Sequence, residues 1–244
     1  MDLPYATSLK HTVYSHGWVN LAPWIWDDVK QELSRKECLN EACAVNVVVT
    51  QTLKNRFLVE VHDHKLSPRE ESTLQRKVTR WLSGDWDPRP VIQLASSLDS
   101  CIYRFVREGG GRLLRGSTFF EDFSKTILTI NTNWASTKRM SLALTSTTND
   151  GTFPTPAKIL TKGEDFLRSN LKLGFRSKVL YQDTELLLNK GIVDEEGNLA
   201  RCFITYEELV ALYGIGPYAA SHIMVLEHDF SRIPVDSEVT SYFS

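Results

Sequence analysis

The chain has 244 residues, of which 24% are charged and 42% hydrophobic, a composition that excludes disordered, collagen-like and coiled-coil proteins. Its net charge of −2, from 28 basic and 30 acidic residues, excludes a protein that holds polyanions by bulk charge alone. No apolar run approaches the ~18 residues of a membrane span, and we expect no secretory signal and no membrane partner. The four cysteines form no CxxC pair, so we expect reduced thiols in the cytoplasm or nucleoid, or in a eukaryotic nucleus.

The first 90 residues are predicted to form a β-rich domain. Residues 56–61 place Phe57, Val59 and Val61 on one face at a period of two, and residues 44–49 form a β-branched run. The segment between these two strands suits a hairpin connection. Residues 9–15 are predicted to add another strand.

A helix is predicted after Ser67, because Ser67 and Glu70 form a capping box around Pro68. It ends at Gly84, and residues 85–90 have the composition of a link between domains. We therefore predict an α+β protein with an N-terminal antiparallel β-sheet domain over residues 1–90. An all-helical domain is predicted over residues 91–244.

Three helical patterns follow this link. Residues 96–108 form one predicted helix, which stops at three consecutive glycines. Thr118 and Glu121 form a capping box that opens another. Residues 176–190 carry an apolar stripe and form the third.

Two glycines near the end of the chain predict a tight connection between two helices. Thr205 begins a helix that is expected to reach Tyr213, and Pro217 begins the next one. Between them, Gly214 and Gly216 allow a hairpin with positive φ and nothing projecting from it. Such a hairpin offers backbone amides and a helix dipole to a DNA phosphate. The alternative is a plain helical corner in which glycine only allows close packing.

The residues around this hairpin resemble those of a known enzyme family. The segment from Leu209 to Ala220, followed by Pro234-Val235-Asp236, is similar to the glycine, proline and aspartate signature of the helix-hairpin-helix DNA glycosylases. Residues 173–178 resemble the family's LGYRAK segment. The β-rich start resembles the N-terminal sheet domain of the 3-methyladenine (type II) and 8-oxoguanine branch.

The resemblance implies a reaction on a nucleotide rotated out of the duplex. In this family a carboxylate stabilises the oxocarbenium-like state formed as the glycosidic bond breaks, and Asp236 is the matching residue. Asp236 also has the position of a helix N-cap, and the two roles are compatible. The implied partner is double-stranded DNA containing a damaged base, bound by a monomer without a required cofactor.

Tyr218 decides between two branches of the family. Strand-nicking members have a lysine here, which forms a Schiff base with the sugar, whereas the aromatic residue matches the monofunctional alkylation-repair branch. His222 lies one turn later, where the family places a pocket residue. The alternative for His222 is an ordinary helix histidine.

Further family positions fall on backbone and loop residues. The resemblance assigns DNA binding to Gly214, Ile215 and Gly216, and it makes Asn131 the plug for the vacated duplex position with Thr132 beside it. An asparagine at this position is closer to the 8-oxoguanine branch, so 8-oxoguanine stays an alternative substrate. The alternative for the loop itself is a polar helix end without a role in DNA binding. The carbonyls that would hold a structural Na⁺ or K⁺ belong to Val210, Leu212 and Ile215.

Two departures leave the function open. The sequence stops eight residues after Asp236, whereas family members continue with further helices, so we expect either a fragment or a truncated form. A non-catalytic DNA-binding remnant is therefore a second hypothesis, and a helical interaction domain without a DNA role is a third. His62, Asp63 and His64 could bind a metal, although two histidines at a strand end are usually surface residues.

Overall fold

The computed structural model describes residues 1–40, 43–62 and 64–242, and its chain divides into two compact units. The first comprises Met1–Ser117 with Thr148–Phe153, and the second comprises Thr118–Thr147 with Pro154–Ser244. The first unit carries an antiparallel sheet and the second is helical, which confirms the predicted α+β fold class.

The sheet is a meander in which each strand pairs with the next along the chain. The strands are β1 (Ile25–Asp27), β2 (Glu32–Asn40), β3 (Cys43–Leu53) and β4 (Arg56–Val61). The pattern predicted β4 correctly, but β3 is longer than expected and turns into β4 through Lys54 and Asn55. β1 and β2 were not predicted, and in β2 charged residues occupy inward-facing positions.

Those inward-facing charges form a buried ionic network. Arg35 Nε lies 2.9 Å from a carboxylate oxygen of Glu37, and both side chains are almost fully buried. Lys77 donates to the same carboxylate at 2.8 Å, and the Arg35 guanidinium lies 4.4 Å from the centre of the Trp24 ring. Because each charge has a partner, the strand keeps its two-residue period of burial without an apolar sequence pattern.

The helices of the first unit differ from the prediction in two places. They are α1 (Leu9–Val13), α2 (Pro68–Trp81), α3 (Arg89–Leu98) and α4 (Ser100–Arg107). The Ser67 capping box of α2 is confirmed. The strand predicted over residues 9–15 is wrong, because the Ser8 side chain caps a short helix there. The single helix predicted over residues 96–108 is divided by Asp99, whose carboxylate accepts from the amides that begin α4.

The first unit extends past the expected boundary at Pro90. The buried guanidinium of Arg112 donates to the carbonyl oxygens of Ser83 and Trp86. Arg115 pairs with Asp85 at 3.2 Å. These bonds hold residues 112–117 against residues 83–86, so the segment expected to link two domains is a packed part of the first unit.

The second unit is built around a central helix. Its helices are α5 (Phe119–Thr129), α6 (Trp134–Thr145), α7 (Pro156–Lys162), α8 (Glu164–Ser169), α9 (Arg176–Asn189), α10 (Tyr206–Val210), α11 (Pro217–Leu226) and α12 (Ser237–Tyr242). Every residue from Phe119 to Leu128 is buried, and α5 packs against α6, α9 and α11. Thr118 caps α5 as predicted, whereas the Glu121 side chain pairs with Lys125 inside the core at 2.7 Å. None of the described helices is long and apolar enough to cross a bilayer.

Candidate active site

A glycine turn, residues 211–216, joins α10 to α11. Both reciprocal bonds of the Thr205 capping box are present, but α10 ends at Val210, earlier than expected. Gly214 has φ +74°, and a Cβ there would lie 2.8 Å from a methyl group of Val179. Glycine at this position is therefore required by both conformation and space.

Gly216 differs from the sequence prediction. Its φ of −88° is an ordinary value, and a Cβ added there would meet no atom within 4 Å. Gly216 is the N-cap of α11 and carries no capping side chain, so the first-turn amides are not covered by one. The Ile215 side chain is buried, so the predicted DNA contact of Ile215 would fall to its backbone.

A buried carboxylate that the sequence did not reveal supports the glycine turn. Asp183 of α9 accepts a hydrogen bond from the Tyr213 amide at 2.9 Å, and its side chain is 1% exposed. Burial raises the pKa of Asp183 to about 7, and the single amide bond only partly opposes this rise. An inward-facing aspartate on a helix gives no sequence signal, since surface helices also carry aspartates.

Two predicted site residues stack on α11, and a third, Asp236, acts on both electrostatically. The Tyr218 and His222 rings are stacked, with centroids 5.9 Å apart and planes 6° apart. The negative charge of Asp236 raises the pKa of both side chains. For Tyr218 it adds to the effect of burial, and for His222 it opposes that effect. In each case burial is the larger cause, and it lowers the pKa of His222 to about 4.

The tautomer of His222 follows from its contact with α5. Thr126 Oγ1 lies 3.2 Å from His222 Nδ1, while the Thr126 hydroxyl donates to the Asp122 carbonyl at 2.8 Å. A hydroxyl has one proton, so Thr126 accepts from Nδ1–H. Because burial lowers the pKa of His222 to about 4, the ring is neutral at pH 7 and carries its proton on Nδ1.

Asp236 has the N-cap position that the sequence indicated. One carboxylate oxygen accepts from the Val239 amide at 2.8 Å, and the Asp236 carbonyl accepts from the Thr240 amide at 3.0 Å. The bond to Val239 orients the carboxylate through one of its two oxygens. Asp236 therefore caps α12 and also acts electrostatically on Tyr218 and His222.

Solved structures of DNA glycosylases are similar to this chain. The 3-methyladenine DNA glycosylase from Archaeoglobus fulgidus is 18% identical, over 98% of this chain and 82% of its own, with a TM-score of 0.72. The 8-oxoguanine glycosylase/lyase from Clostridium acetobutylicum in its apo form is 18% identical, over 100% and 87%, with a TM-score of 0.69. The same enzyme in complex with double-stranded DNA containing cytosine opposite 8-oxoguanine is 19% identical, over 99% of this chain and 85% of its own, with a TM-score of 0.66.

This chain has the fold of a DNA glycosylase. No family model and no curated protein matches the sequence, so at these low identities the likeness establishes the fold alone. The roles of individual residues must be argued from their chemistry.

In this glycosylase fold, the loop between α5 and α6 carries the predicted plug. Asn131 is exposed and has φ +47°, a left-handed conformation that asparagine tolerates better than most residues. Thr132 is half-buried beside it. Arg176 was missed as a support for this loop. Its guanidinium is mostly buried and donates to the carbonyl oxygens of Ile130 and, at 3.0 Å, Asn131.

The predicted cation ligands are backbone carbonyls of the glycine turn and the end of α10. Within residues 64–242, no hydrogen-bond donor reaches the carbonyl oxygens of Val210, Leu212 or Ile215. Helix ends leave their last carbonyls unsatisfied, and hard cations prefer such oxygen ligands. These oxygens are of the kind that binds Na⁺ or K⁺, and the cation site stays a prediction.

Proposed function

We propose that this chain is a monofunctional DNA glycosylase that releases an alkylated purine from double-stranded DNA. The observation that carries this proposal is the stack of the Tyr218 and His222 rings, on both of which the charge of Asp236 acts. The glycosylase fold of the solved structures supports it.

Asp236 would stabilise the positive charge that develops on the sugar as the C–N bond breaks. A fixed carboxylate next to an oxocarbenium-like centre favours the transition state over the neutral ground state. The Val239 amide already orients this carboxylate, so little reorganisation is needed during the reaction. The electron pair of the broken bond leaves with the base, and water adds to the sugar carbon to give an abasic site.

The neutral state of His222 also favours the positive charge that develops on the sugar. With a pKa of about 4, its imidazole adds no positive charge beside the developing cation at pH 7. Thr126 accepts from Nδ1 and so orients the ring. Tyr218 supplies an aromatic face, and an electron-poor alkylated purine gains most from stacking on it.

DNA binding would use backbone groups rather than a basic surface. The uncapped amides that begin α11 would hold a phosphate, which suits a chain of net charge −2. Asn131, held by Arg176, would fill the position that the flipped nucleotide leaves. A monovalent cation bound by the carbonyls of Val210, Leu212 and Ile215 would add positive charge near that phosphate.

Two alternatives remain testable. Asn131 and the similarity to an 8-oxoguanine glycosylase/lyase favour 8-oxoguanine as the second candidate substrate. A DNA-binding remnant without catalysis is the other.

The experiment is a panel of single-lesion duplexes incubated with the full chain, with base release and strand scission measured separately. We expect release of an alkylated purine and an intact abasic strand. Release of 8-oxoguanine alone would replace the substrate assignment. Tight binding to every duplex without release of any base would favour the remnant.

A further inference from the structure

Three metal-ligating side chains meet in the first unit, at the end of the sheet where β3 begins and β4 ends. Cys43 opens β3, His64 follows β4, and Glu70 lies in the first turn of α2. One ligand atom from each residue lies within 4.8 Å of the other two. Because three separate segments supply these atoms, no sequence spacing reveals the cluster.

The Glu70 carboxylate organises this cluster. It accepts from the Ser67 amide at 2.8 Å and from the Asn40 side chain at 3.0 Å, and His64 Nε2 lies 3.4 Å from it. The bonds to Ser67 lower the pKa of Glu70 to about 2, so the carboxylate is ionised at neutral pH. The Cys43 thiol also bonds to this carboxylate, and burial is the main cause of its raised pKa. The cluster therefore brings a carboxylate oxygen, a thiol sulfur and an imidazole nitrogen together.

We propose that Cys43, His64 and Glu70 bind one zinc ion. Sulfur, imidazole nitrogen and carboxylate oxygen are the three ligand types that zinc takes in proteins. Tetrahedral bonds of 2.0–2.3 Å length would place the ligand atoms roughly 3.5 Å apart, so shifts of about 1 Å suffice. On binding, the Cys43 thiol loses its proton to solvent, and the thiolate and carboxylate together balance the two positive charges. Water completes the fourth position.

Zinc at this position would have a structural role. It would tie the start of β3, the connection after β4 and the start of α2 together, where the chain otherwise relies on exposed hydrogen bonds. The site belongs to the first unit and uses none of the residues assigned to base release. Its occupancy should therefore change the stability of the chain without changing its chemistry on DNA.

The test is a zinc titration of the full chain against a fluorescent chelator of known affinity. We expect one zinc per chain and the release of one thiol proton for each zinc bound, detected by calorimetry in buffers of different ionisation enthalpy. Cys43→Ser and His64→Ala should weaken zinc binding by more than about tenfold. Loss of a residue that only hydrogen-bonds a metal ligand already costs about tenfold, and loss of the ligand itself should cost more. Glu70→Gln should weaken it too, and glutamine preserves the capping box.

The matched controls are His62→Ala and Cys101→Ser, which change an exposed histidine two residues from His64 and an exposed cysteine outside the cluster. Both should bind zinc like the wild type. Wild-type affinity in Cys43→Ser, or equal losses in His62→Ala and His64→Ala, would overturn the proposal.

A spectroscopic measurement on the wild type tests the same ligands without any variant, and so does not depend on whether the variants fold. Co²⁺ bound at this site should show a thiolate-to-metal charge-transfer band, which added zinc removes. A Co²⁺ spectrum without that band would overturn the assignment of Cys43 as a ligand.

Discussion

The Tyr218 phenol and the His222 imidazole lie face to face on one side of α11, with centroids 5.9 Å apart and planes 6° apart. Residues four apart share a helix face, so the helix itself sets this arrangement. Thr126 of α5 fixes the imidazole from a second element. Asp236 acts on the pair electrostatically, and its carboxylate caps α12 through the Val239 amide.

The glycine turn provides a matched pair of substitutions. Gly214→Ala puts a Cβ at φ +74° and 2.8 Å from Val179, so we expect a loss of about 1–3 kcal/mol in unfolding free energy and weaker DNA binding. Gly216→Ala meets no atom within 4 Å, and we expect a loss of about 1 kcal/mol or less from the poorer N-cap. Urea unfolding and fluorescence anisotropy measure both quantities. Equal effects of the two substitutions would contradict this account of the turn.

Asp183 makes stability depend on pH in a defined direction. Its pKa rises from 3.8 unfolded to about 7 folded, so the folded state binds the extra proton and the wild type loses stability as pH rises through this range. Asp183→Asn removes this titration. We expect its stability relative to the wild type to increase by roughly 2–3 kcal/mol between pH 5 and pH 8. Urea unfolding at both pH values measures it, and a constant difference would show that Asp183 does not titrate in this range.

Arg176 is expected to position the plug loop. Arg176→Lys keeps the charge but loses the planar group that donates to the carbonyls of Ile130 and Asn131. We expect the equilibrium constant for base flipping, measured by 2-aminopurine fluorescence, to fall about tenfold, which is roughly 1.4 kcal/mol. Arg168→Lys, on the exposed face of α8, is the control. Unchanged flipping in Arg176→Lys would remove Arg176 from this role.

No covalent intermediate with DNA is expected. Tyr218 stands where a lyase needs an amine, and Lys125 is fully buried and paired with Glu121. Lys178 lies 4.8 Å from the centre of the Tyr213 ring and is the lysine beside the glycine turn. Borohydride added during the reaction should trap no protein–DNA adduct. An adduct that disappears in Lys178→Ala would show that the chain is a lyase with a different nucleophile.

Much of the fold could be predicted because local signals agree with it. Capping residues marked the starts of α2, α5 and α10, and the two-residue period of Phe57, Val59 and Val61 marked β4. β2 was missed because Arg35 and Glu37 point inward as a buried pair, a pattern that no hydrophobic period reveals.

Site residues could be predicted where the local backbone conformation restricts the residue type. They were missed where their role depends on contacts with residues distant in sequence. Gly214 and the N-cap position of Asp236 have local signatures. Asp183, Arg176 and the Cys43 cluster act through residues distant in sequence. Gly216 was expected to share the positive φ of the hairpin with Gly214, but its own conformation is that of a helix N-cap.

The catalytic role of Asp236 is the central claim, and single-turnover base release by Asp236→Asn tests it most directly. Asparagine preserves the cap on α12 but removes the charge, so we expect DNA binding at wild-type strength or tighter and a rate at least about 100-fold lower. Asp229→Asn, which changes an aspartate that caps a turn before Ser231, should release the base at the wild-type rate. Equal rates for the wild type and Asp236→Asn, on the lesion that the wild type releases fastest, would contradict the account.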